Sequence, residues 1–445
     1  MLKRKLSIIL ILILAIGIVG CDKIQTSEQW YEKNTYEIKS LDSDDYSDLE
    51  FLKPLLKNKR VVSLGENFHR VSEYRTIKTK IIKYLHEELG YDAIGFESGL
   101  GECAMVMNNN ELTPRQMMEN STLPVWHSEE TLKLFDYIKE QKETEQPLEL
   151  FGYDMQFTSM YFIDYMTQWL AKVDEKKAEE YSQMEIGFLQ SYYTLLNKYG
   201  FETVGHINEY QKIIDKYQKP YNELIKYIKD NRNALENVYP ENKNLVDCAI
   251  RTLDKRMTIV KMSMVNTVES YNLRDVIMAE NVEWYLTVNP DKKIILWAHN
   301  DHLTRNTSKM LTLEKDEWVN SFKSMGEILS ENLEDDIYVL GFYMKSGRAT
   351  SINTVKDFEI PEVPEGSLEE IINRSGYENT FVDLSKHTKE NKFNKWMFSK
   401  QYASEDGLSY ETIRTNAMQF IPKEQYDGII VLKQVSSPIL LQQDK

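Results

Sequence analysis

Short apolar runs alternate with longer amphipathic stretches over most of the chain. Residues 60–64 form an apolar run that ends at Gly65, which predicts a buried strand. Apolar residues then recur at helical spacing over residues 72–89, which predicts an amphipathic helix ended by Gly90. Residues 91–96 form a second apolar run. Strand, helix and strand together have the length of a βαβ unit.

Four later apolar runs continue this pattern, at residues 148–153, 293–298, 337–342 and 428–432. Helical stretches separate them, so the chain is predicted to have an α/β fold with a mainly parallel central sheet flanked by helices. No strand is predicted between residues 160 and 289, where long charged segments have a helical period. A helical insertion is therefore expected at about 160–290, either as a cap over the site or as simple cover for the sheet. Residues 353–400 are polar and predicted to be loop-rich.

The first twenty residues have the pattern of an export signal. Lys3, Arg4 and Lys5 precede an uncharged run over residues 6–20. This run is shorter than the roughly 20 apolar residues of a stable membrane span, although a short anchor is the alternative. Residues 18–21, Ile-Val-Gly-Cys, resemble a bacterial lipobox, which predicts lipidation of Cys21.

These features predict a signal peptide over residues 1–20, a tether over 21–48 and one α/β domain over 49–445. Two acyl chains on Cys21 would anchor an exported lipoprotein to the outer face of the bacterial cell membrane.

Charge and cysteine content narrow the range of partners. The net charge is −16 and no basic stripe is present, so no nucleic acid partner is expected. The two other cysteines, Cys103 and Cys248, could pair in an oxidising compartment, but two cysteines do not make a disulfide framework. Both are expected to be buried thiols that behave as small apolar residues.

Titratable or amide side chains follow four of the predicted strands, where parallel sheets place their functional groups. They are Glu66, His69 and Glu73 after the first strand, Glu97 after the second, Asp154 and Gln156 after the third, and His299 and His302 after the strand near residue 295. Three of the seven histidines fall at these points. A single carboxylate at a strand end usually caps the helix that follows, because the N-terminus of a helix stabilises negative charge. Four such ends together indicate a site.

Several common catalytic signatures are absent from the sequence. There is no Gly-x-Ser-x-Gly elbow, no phosphate-binding loop and no His-Glu-x-x-His zinc motif. A site made of histidines and carboxylates suits the activation of water by a general base, in which a carboxylate orients the imidazole.

Six motifs in order, over roughly residues 60–345, resemble the erythromycin esterase family. They are Gly65-Glu66-x-x-His69 with Glu73, the strand ending at Glu97, Trp126-x-x-Glu129-Glu130, Gly152-x-Asp154-x-Gln156, Arg274-Asp275 with the helix from Met278 to Val282, and Trp297-Ala298-His299-Asn300-x-His302. A weaker match continues to residues 426–430.

The resemblance implies hydrolysis of a macrolide lactone by water, with a link to macrolide resistance. It implies His69 as the general base, with Glu66, Glu97, His299, His302 and Glu73 in the catalytic group. Groups that would contact the substrate or its oxyanion are Lys78, Arg274, Asp154 and Gln156. Some family members have Arg at the position of Lys78, and Lys keeps the charge without the planar fork. No cofactor is certain, and a divalent metal ion is possible.

Two other functions stay open from the sequence. One is hydrolysis of a different ester or lactone at the cell envelope, so the expected partner in either case is a small-molecule ester. The other is a metal-binding or haem-binding lipoprotein, because the resemblance extends to a wider group of Gly-x-x-His proteins. Its ligands would come from His69 and Glu73, spaced i and i+4, and from His299 and His302, spaced i and i+3.

Overall fold

The computed structural model of the chain describes residues 26–200, 204–406 and 412–441. The predicted signal peptide and Cys21 lie outside these residues. Within the described parts of the chain, no helix combines the length and apolar composition that crossing a membrane requires.

Fourteen strands are present in the described residues, and eight of them form one central sheet. The strands are β1 (Thr35–Glu37), β2 (Val61–Leu64), β3 (Ala93–Gly99), β4 (Glu149–Asp154), β5 (Ile294–Trp297), β6 (Leu311–Glu314), β7 (Glu317–Asn320), β8 (Ile337–Met344), β9 (Arg348–Thr350), β10 (Asp357–Glu359), β11 (Asn379–Asp383), β12 (Gln401–Glu405), β13 (Arg414–Phe420) and β14 (Gly428–Leu432).

The central sheet has the order β1-β11-β14-β8-β2-β5-β3-β4. The six strands from β14 to β4 are parallel, and β11 is antiparallel to both of its neighbours. These six parallel strands are the six that the apolar runs predict. The predicted α/β fold with a mainly parallel sheet is therefore confirmed.

Helices account for much of the remaining chain. They are α1 (Ser27–Asn34), α2 (Lys53–Leu56), α3 (Ser72–Leu89), α4 (Leu100–Met107), α5 (Pro114–Ser121), α6 (Glu129–Gln141), α7 (Tyr161–Ala171), α8 (Glu175–Tyr199), α9 (Ile207–Asp230), α10 (Arg232–Glu236), α11 (Leu245–Asp254), α12 (Arg256–Met262), α13 (Thr267–Val288), α14 (Asn300–Leu303), α15 (Met325–Leu333), α16 (Leu368–Asn373) and α17 (Pro422–Gln425). Helix α3 has the predicted bounds, and Gly90 ends it with a φ of 66°, where glycine carries no Cβ penalty.

Side chains of the parallel strands alternate between two apolar cores, because successive residues of a strand point to opposite faces. Val62 and Leu64 of β2 belong to the core that contains Ile77 of α3. Val61 belongs to the opposite core with Met278 of α13. Every residue of β2, β5, β8 and β14 is buried, as expected for strands covered on both faces.

Between β4 and β5 the described residues form helices α7 to α13 and their connections, without a strand. This segment has a core of its own, rich in aromatic residues such as Trp169, Phe188 and Tyr221. Helix α13 closes the segment by packing on the sheet with Met278 and Val282. The two cysteines near this segment are both buried free thiols, as predicted.

The described part of the predicted tether differs from the expectation. Helix α1 begins after Thr26, whose side chain caps it, and buries Trp30. Strand β1 then pairs with β11 at the edge of the central sheet. Three residues are too few to show a strand period, so no local pattern predicts β1. The segment predicted to be loop-rich, residues 353–400, contains strand β11. The sequence pattern does not predict this strand, because Phe381 and Val382 are the only large apolar residues of β11.

A separate four-stranded antiparallel sheet has the order β12-β13-β6-β7. The end of β12 is tied to the loop after β2, because the side-chain amide of Asn67 donates to the carbonyl of Ser404 at 2.9 Å. This contact brings the residues that follow Ser404 to the carboxyl edge of the central sheet.

Candidate active site

The carboxyl ends of β2, β3, β4 and β5 meet at one edge of the central sheet. Leu64 of β2 and Phe96 of β3 both lie beside Trp297 of β5. Asp154 of β4 lies beside Gly99 of β3. The polar residues that follow these strands therefore converge, as the parallel topology predicts.

Glu66 is fully buried, and four donors surround its carboxylate. Nδ1 of His69 and Nε1 of Trp126 lie 2.8 Å and 3.0 Å from Oε1. Nζ of Lys78 and Nε1 of Trp297 lie 2.5 Å and 3.0 Å from Oε2. Burial alone would raise the pKa of Glu66, but the Lys78 ammonium and the contact with His69 outweigh it and lower the pKa to about 2. The side chain is a carboxylate at neutral pH.

The charge on Glu66 fixes the tautomer of His69. An ionised carboxylate can only accept a hydrogen bond, so Nδ1 of His69 is the donor and Nε2 of the neutral ring carries a free lone pair. The side chain of His69 is 16% exposed, whereas that of Glu66 is 0% exposed. The ring therefore presents Nε2 from a fixed position at the edge of the site, which is the arrangement of a general base.

Two rings restrict the orientation of His69 further. The rings of Trp126 and His299 both lie edge-on to it, with centroids 5.2 Å and 5.3 Å away. His69 therefore lies between the group around Glu66 and the group around His299.

Lys78 holds Glu66 from inside the protein. Its side chain is 0% exposed, and its ammonium lies 4.5 Å from the ring centroid of Trp297. Burial lowers the pKa of Lys78 to about 8, although the Glu66 carboxylate opposes this shift. This position differs from the predicted contact with substrate or oxyanion, because the ammonium is already engaged by Glu66.

Arg274 of α13 joins the ends of β3 and β4. Its Nη2 lies 2.5 Å from Oδ2 of Asp154 and 2.7 Å from Oε1 of Glu97. His302 contacts the same group, with Nε2 3.3 Å from Glu97 and 3.2 Å from Nη1 of Arg274. Burial would raise the pKa of Glu97, but His302 and Arg274 hold it well below its ordinary value.

The other nitrogen of His302 is held by Asp275, with Nδ1 2.9 Å from Oδ1. Burial lowers the pKa of His302, but Asp275 and Glu97 outweigh burial, so the net direction is upward. The carboxylate of Asp275 also accepts the backbone N–H of Met325 at 2.8 Å. His302 is thus anchored between two helices and the end of β3.

His299 faces several carboxylates. Its Nε2 lies 3.0 Å from Oε1 of Glu405 and 3.5 Å from Oδ1 of Asp406. Its Nδ1 lies 3.9 Å from Oδ2 of Asp301. Its backbone N–H donates to Oε2 of Glu97 at 3.0 Å, which links this group to the Arg274 group. Burial and the neighbouring carboxylates raise the pKa of Glu405 and of Asp406 well above their ordinary values.

The side chain of Glu73 is engaged elsewhere, and Gln156 meets these groups through its backbone. Both carboxylate oxygens of Glu73 contact Ser436, through its backbone N–H and its hydroxyl, each at 2.7 Å. Gln156 is half-buried and donates its backbone N–H to Asp154 at 3.1 Å. The predicted ligand set of His69 and Glu73 with His299 and His302 is not assembled, because Glu73 is engaged by Ser436.

Several residues of the site had no role in the sequence-based prediction. Trp126, Trp297 and Asp275 lie inside motifs that resemble the family. The motifs therefore indicated that these residues belong to the site, but not what each of them contacts. No motif or apolar pattern pointed to Glu405 and Asp406, because they lie at and just after the end of a short strand of the antiparallel sheet, far along the chain.

Known proteins resemble this chain over most of its length. The sequence profile described as Erythromycin esterase matches residues 86–435, a span that begins after Glu66 and His69. YbfO of Bacillus subtilis (strain 168), a protein named as a hydrolase, is 35% identical over 433 residues, which cover 93% of this chain and 92% of YbfO. Erythromycin esterase type II of Escherichia coli is 22% identical over 391 residues, covering 80% of this chain and 88% of that protein.

Solved structures share the fold at low sequence identity. A succinoglycan biosynthesis protein aligns with a TM-score of 0.70 and 18% identity, covering 93% of this chain and 98% of that one. A mutant of the erythromycin esterase EreC in its open conformation aligns with a TM-score of 0.61 and 17% identity, covering 92% and 100% of the two chains. These alignments extend over nearly the whole chain.

Replacement of Lys78 by Met tests the charge balance around Glu66. At pH 7 the variant leaves a buried carboxylate without its cation, so the free energy of unfolding should fall by about 3–5 kcal/mol. Without the ammonium, the pKa of Glu66 in the folded protein should rise above its unfolded value. The stability loss should then shrink between pH 7 and pH 4.5, as Glu66 takes up a proton in the folded variant. Urea unfolding at both pH values measures this.

The matched control is Lys83→Met on the same helix, because Lys83 pairs at the surface with the 80% exposed Asp44. Its loss should stay within about 1 kcal/mol at both pH values. Equal losses for the two variants, or a Lys78→Met loss independent of pH, would contradict the assigned balance.

Proposed function

Because this chain belongs to the erythromycin esterase family, we propose that it hydrolyses a macrolide lactone with His69 as the general base for water. The observation that carries this proposal is the pairing of Nδ1 of His69 with the Glu66 carboxylate, at 2.8 Å. That contact places the proton of the neutral ring on Nδ1, so the lone pair of Nε2 can accept a proton at the edge of the site. The proposal also rests on the names of relatives that share 22% identity with this chain.

In the proposed reaction, the oxygen of a water molecule attacks the ester carbonyl carbon while Nε2 of His69 takes the proton. The buried Glu66 carboxylate stabilises the imidazolium that forms. The carbonyl π electrons move to oxygen, and the tetrahedral intermediate collapses by breaking the ring C–O bond. The departing alkoxide takes the proton from His69. The products are a carboxylic acid and an alcohol on one opened chain, heavier than the lactone by one water.

The developing oxyanion needs hydrogen-bond donors or positive charge in a site with little water. Arg274 and His302 lie side by side at the ends of β3 and β5, 3.2 Å apart. We assign them to this role, because Nη1 of Arg274 contacts only His302 among the described residues, whereas the single ammonium of Lys78 is held by Glu66. Glu97 and Asp154 hold the guanidinium of Arg274 in position, and Asp275 holds His302.

The second candidate substrate is another ester or lactone of the cell envelope, and it uses the same chemistry. The lipobox-like residues 18–21 favour it, since a tethered enzyme meets envelope esters as well as drugs. A panel of macrolides, simple lactones and acylated envelope glycans separates the two substrate classes.

Hydrolysis is tested by incubating residues 22–445 with erythromycin and recording mass spectra. The expected product is one water heavier than the drug. His69→Asn should lower the rate by about 10²–10⁴-fold, the usual contribution of a general base. His206→Asn is the control, because His206 stacks on Tyr199 in the helical segment, with centroids 3.6 Å apart, and should leave the rate unchanged. Absence of the hydrated product from folded protein would reject macrolide hydrolysis, and full activity of His69→Asn would reject the base.

Anchoring is the second part of the proposal. We propose that the chain is exported and held at the outer face of the membrane by lipidated Cys21. Expression of the full chain in bacteria with labelled palmitate should label the protein, and Cys21→Ser should abolish the label and release the protein from the membrane fraction. Cys103→Ser is the control, because Cys103 is a buried thiol. A labelled Cys21→Ser variant would contradict the anchor.

A further inference from the structure

A cavity of about 320 Å³ lies beside the first turn of α1, and none of the active-site residues described above lines it. We call it the α1 cavity. Trp30 of α1, Ile371 of α16 and Trp396 line it and belong to one apolar core, so this part of its wall is apolar. Lys392 and Lys395 also line it and are exposed. The α1 cavity therefore combines an apolar wall with a charged rim.

The charge at the rim is mainly positive. Arg374, Lys392 and Lys395 line the α1 cavity, and Glu28 is the only acidic side chain among the described residues that line it. Glu370 holds Arg374, with Nε 2.9 Å from Oε1 and Nη2 2.7 Å from Oε2. The ammonium groups of Lys392 and Lys395 have no ion-pair partner in the described parts of the chain. A rim with two free ammonium groups suits an anionic ligand.

This positive charge is a local feature of one short segment. Residues 386–400 contain five lysines and one acidic residue, Glu390, whereas the whole chain has a net charge of −16. Aromatic residues are interleaved with these lysines, at Phe393, Trp396 and Phe398. Groups of roughly four to eight basic residues beside a membrane are typical of segments that contact anionic lipids.

The indole N–H of Trp396 lacks a partner. Trp396 is 8% exposed, and its buried Nε1 has no hydrogen-bond partner among the residues that the structure describes. Trp126 and Trp297, by contrast, both donate to Glu66. An indole nitrogen can only donate, and buried donors without a partner are rare. The missing partner is therefore an acceptor, such as a phosphate oxygen.

The α1 cavity is also close along the chain to Cys21. Ser27 lines it, and five peptide units separate residue 21 from Thr26, which caps α1. Because an extended chain spans at most about 3.6 Å per residue, these units reach no further than about 18 Å. Acyl chains on Cys21 would therefore keep the start of α1 near the lipid headgroups, the level at which tryptophan and tyrosine side chains are enriched.

We infer that the α1 cavity binds the headgroup of an anionic membrane phospholipid. Lys392, Lys395 and the indole N–H of Trp396 bind the phosphate, and the apolar wall contacts the glycerol backbone. The acyl chains on Cys21 set the distance of the protein from the membrane, and the bound headgroup turns the face that carries α1 toward it. The choice of a membrane lipid rests on the anchor proposed at Cys21, whereas headgroup binding is measured without that residue.

Headgroup binding is tested on residues 22–445 by isothermal titration calorimetry with three probes. They are ether-linked dihexyl analogues of phosphatidylglycerol and phosphatidylcholine, both below their micelle concentrations, and inorganic phosphate. One phosphatidylglycerol analogue should bind per chain, and the other two probes should bind at least about 10-fold more weakly. The choline group adds a cation that the lysines repel, and inorganic phosphate has no apolar part to contact the wall.

Two variants locate the binding site. Lys392→Gln with Lys395→Gln should weaken binding of the phosphatidylglycerol analogue by at least about 10-fold, because each lysine contributes attraction to the phosphate. Trp396→Phe keeps an aromatic ring but removes the N–H, and should weaken binding by about 10-fold. Lys176→Gln with Lys219→Gln is the matched control, because it changes the net charge equally at positions that are 86% and 84% exposed.

Circular dichroism and the melting temperature establish that each variant is folded. The control should bind as the parent does. Absence of binding by the phosphatidylglycerol analogue, equal affinity for either other probe, or undiminished binding by the folded Lys392→Gln, Lys395→Gln variant would overturn the inference. An equal loss in the control would overturn it too, because general charge would then explain the effect. Since the probes contain no ester and the protein lacks Cys21, failure here is distinct from failure of the proposed hydrolysis or of the proposed anchor.

Discussion

The buried charge of Glu66 is the constraint on which the site depends. A carboxylate with no exposure is stable only if its oxygens are fully partnered, and the donors come from four separate segments of the chain. Lys78 comes from α3, Trp297 from the end of β5, Trp126 from the turn before α6, and His69 from the loop after β2. The charge on Glu66 therefore ties the orientation of His69 to the packing of the sheet and its helices.

The parallel sheet makes this arrangement possible, and a similar arrangement of buried charges lies at the ends of β3 and β4. Glu97 and Asp154 end neighbouring strands and share Arg274, just as Glu66 shares its oxygens among several donors. His302 is held by Asp275 as His69 is held by Glu66. Each histidine thus has one nitrogen fixed by a carboxylate, which defines its tautomer and its direction. His299 differs from these two histidines, because three acidic side chains, those of Asp301, Glu405 and Asp406, lie around its ring.

The parts predictable from sequence are those that follow from local patterns. Apolar runs locate the six parallel strands. Because functional groups gather at the carboxyl ends of such strands, the sequence also predicts that Glu66, His69, Glu97 and His299 lie close together. The helical period of α3 also predicts that Lys78 is buried, because it lies four residues after Tyr74 and therefore on the same, inward face of the helix. Its partner could not be inferred, because twelve residues and a change of element separate it from Glu66. Glu405 arrives through the pairing of β12 with β13, a contact that no local pattern in the sequence encodes.

In the proposed mechanism, Glu66 acts on catalysis through His69. The most direct measurement is a double-mutant cycle on kcat/KM for erythromycin hydrolysis, with Glu66→Gln, His69→Asn and the double variant, each verified as folded. Two residues that act as one unit give strongly non-additive losses. Glu66→Gln should therefore lower kcat/KM when His69 is present and have no further effect in His69→Asn. If the two losses instead multiply in the double variant, Glu66 acts independently of His69 and the account is contradicted.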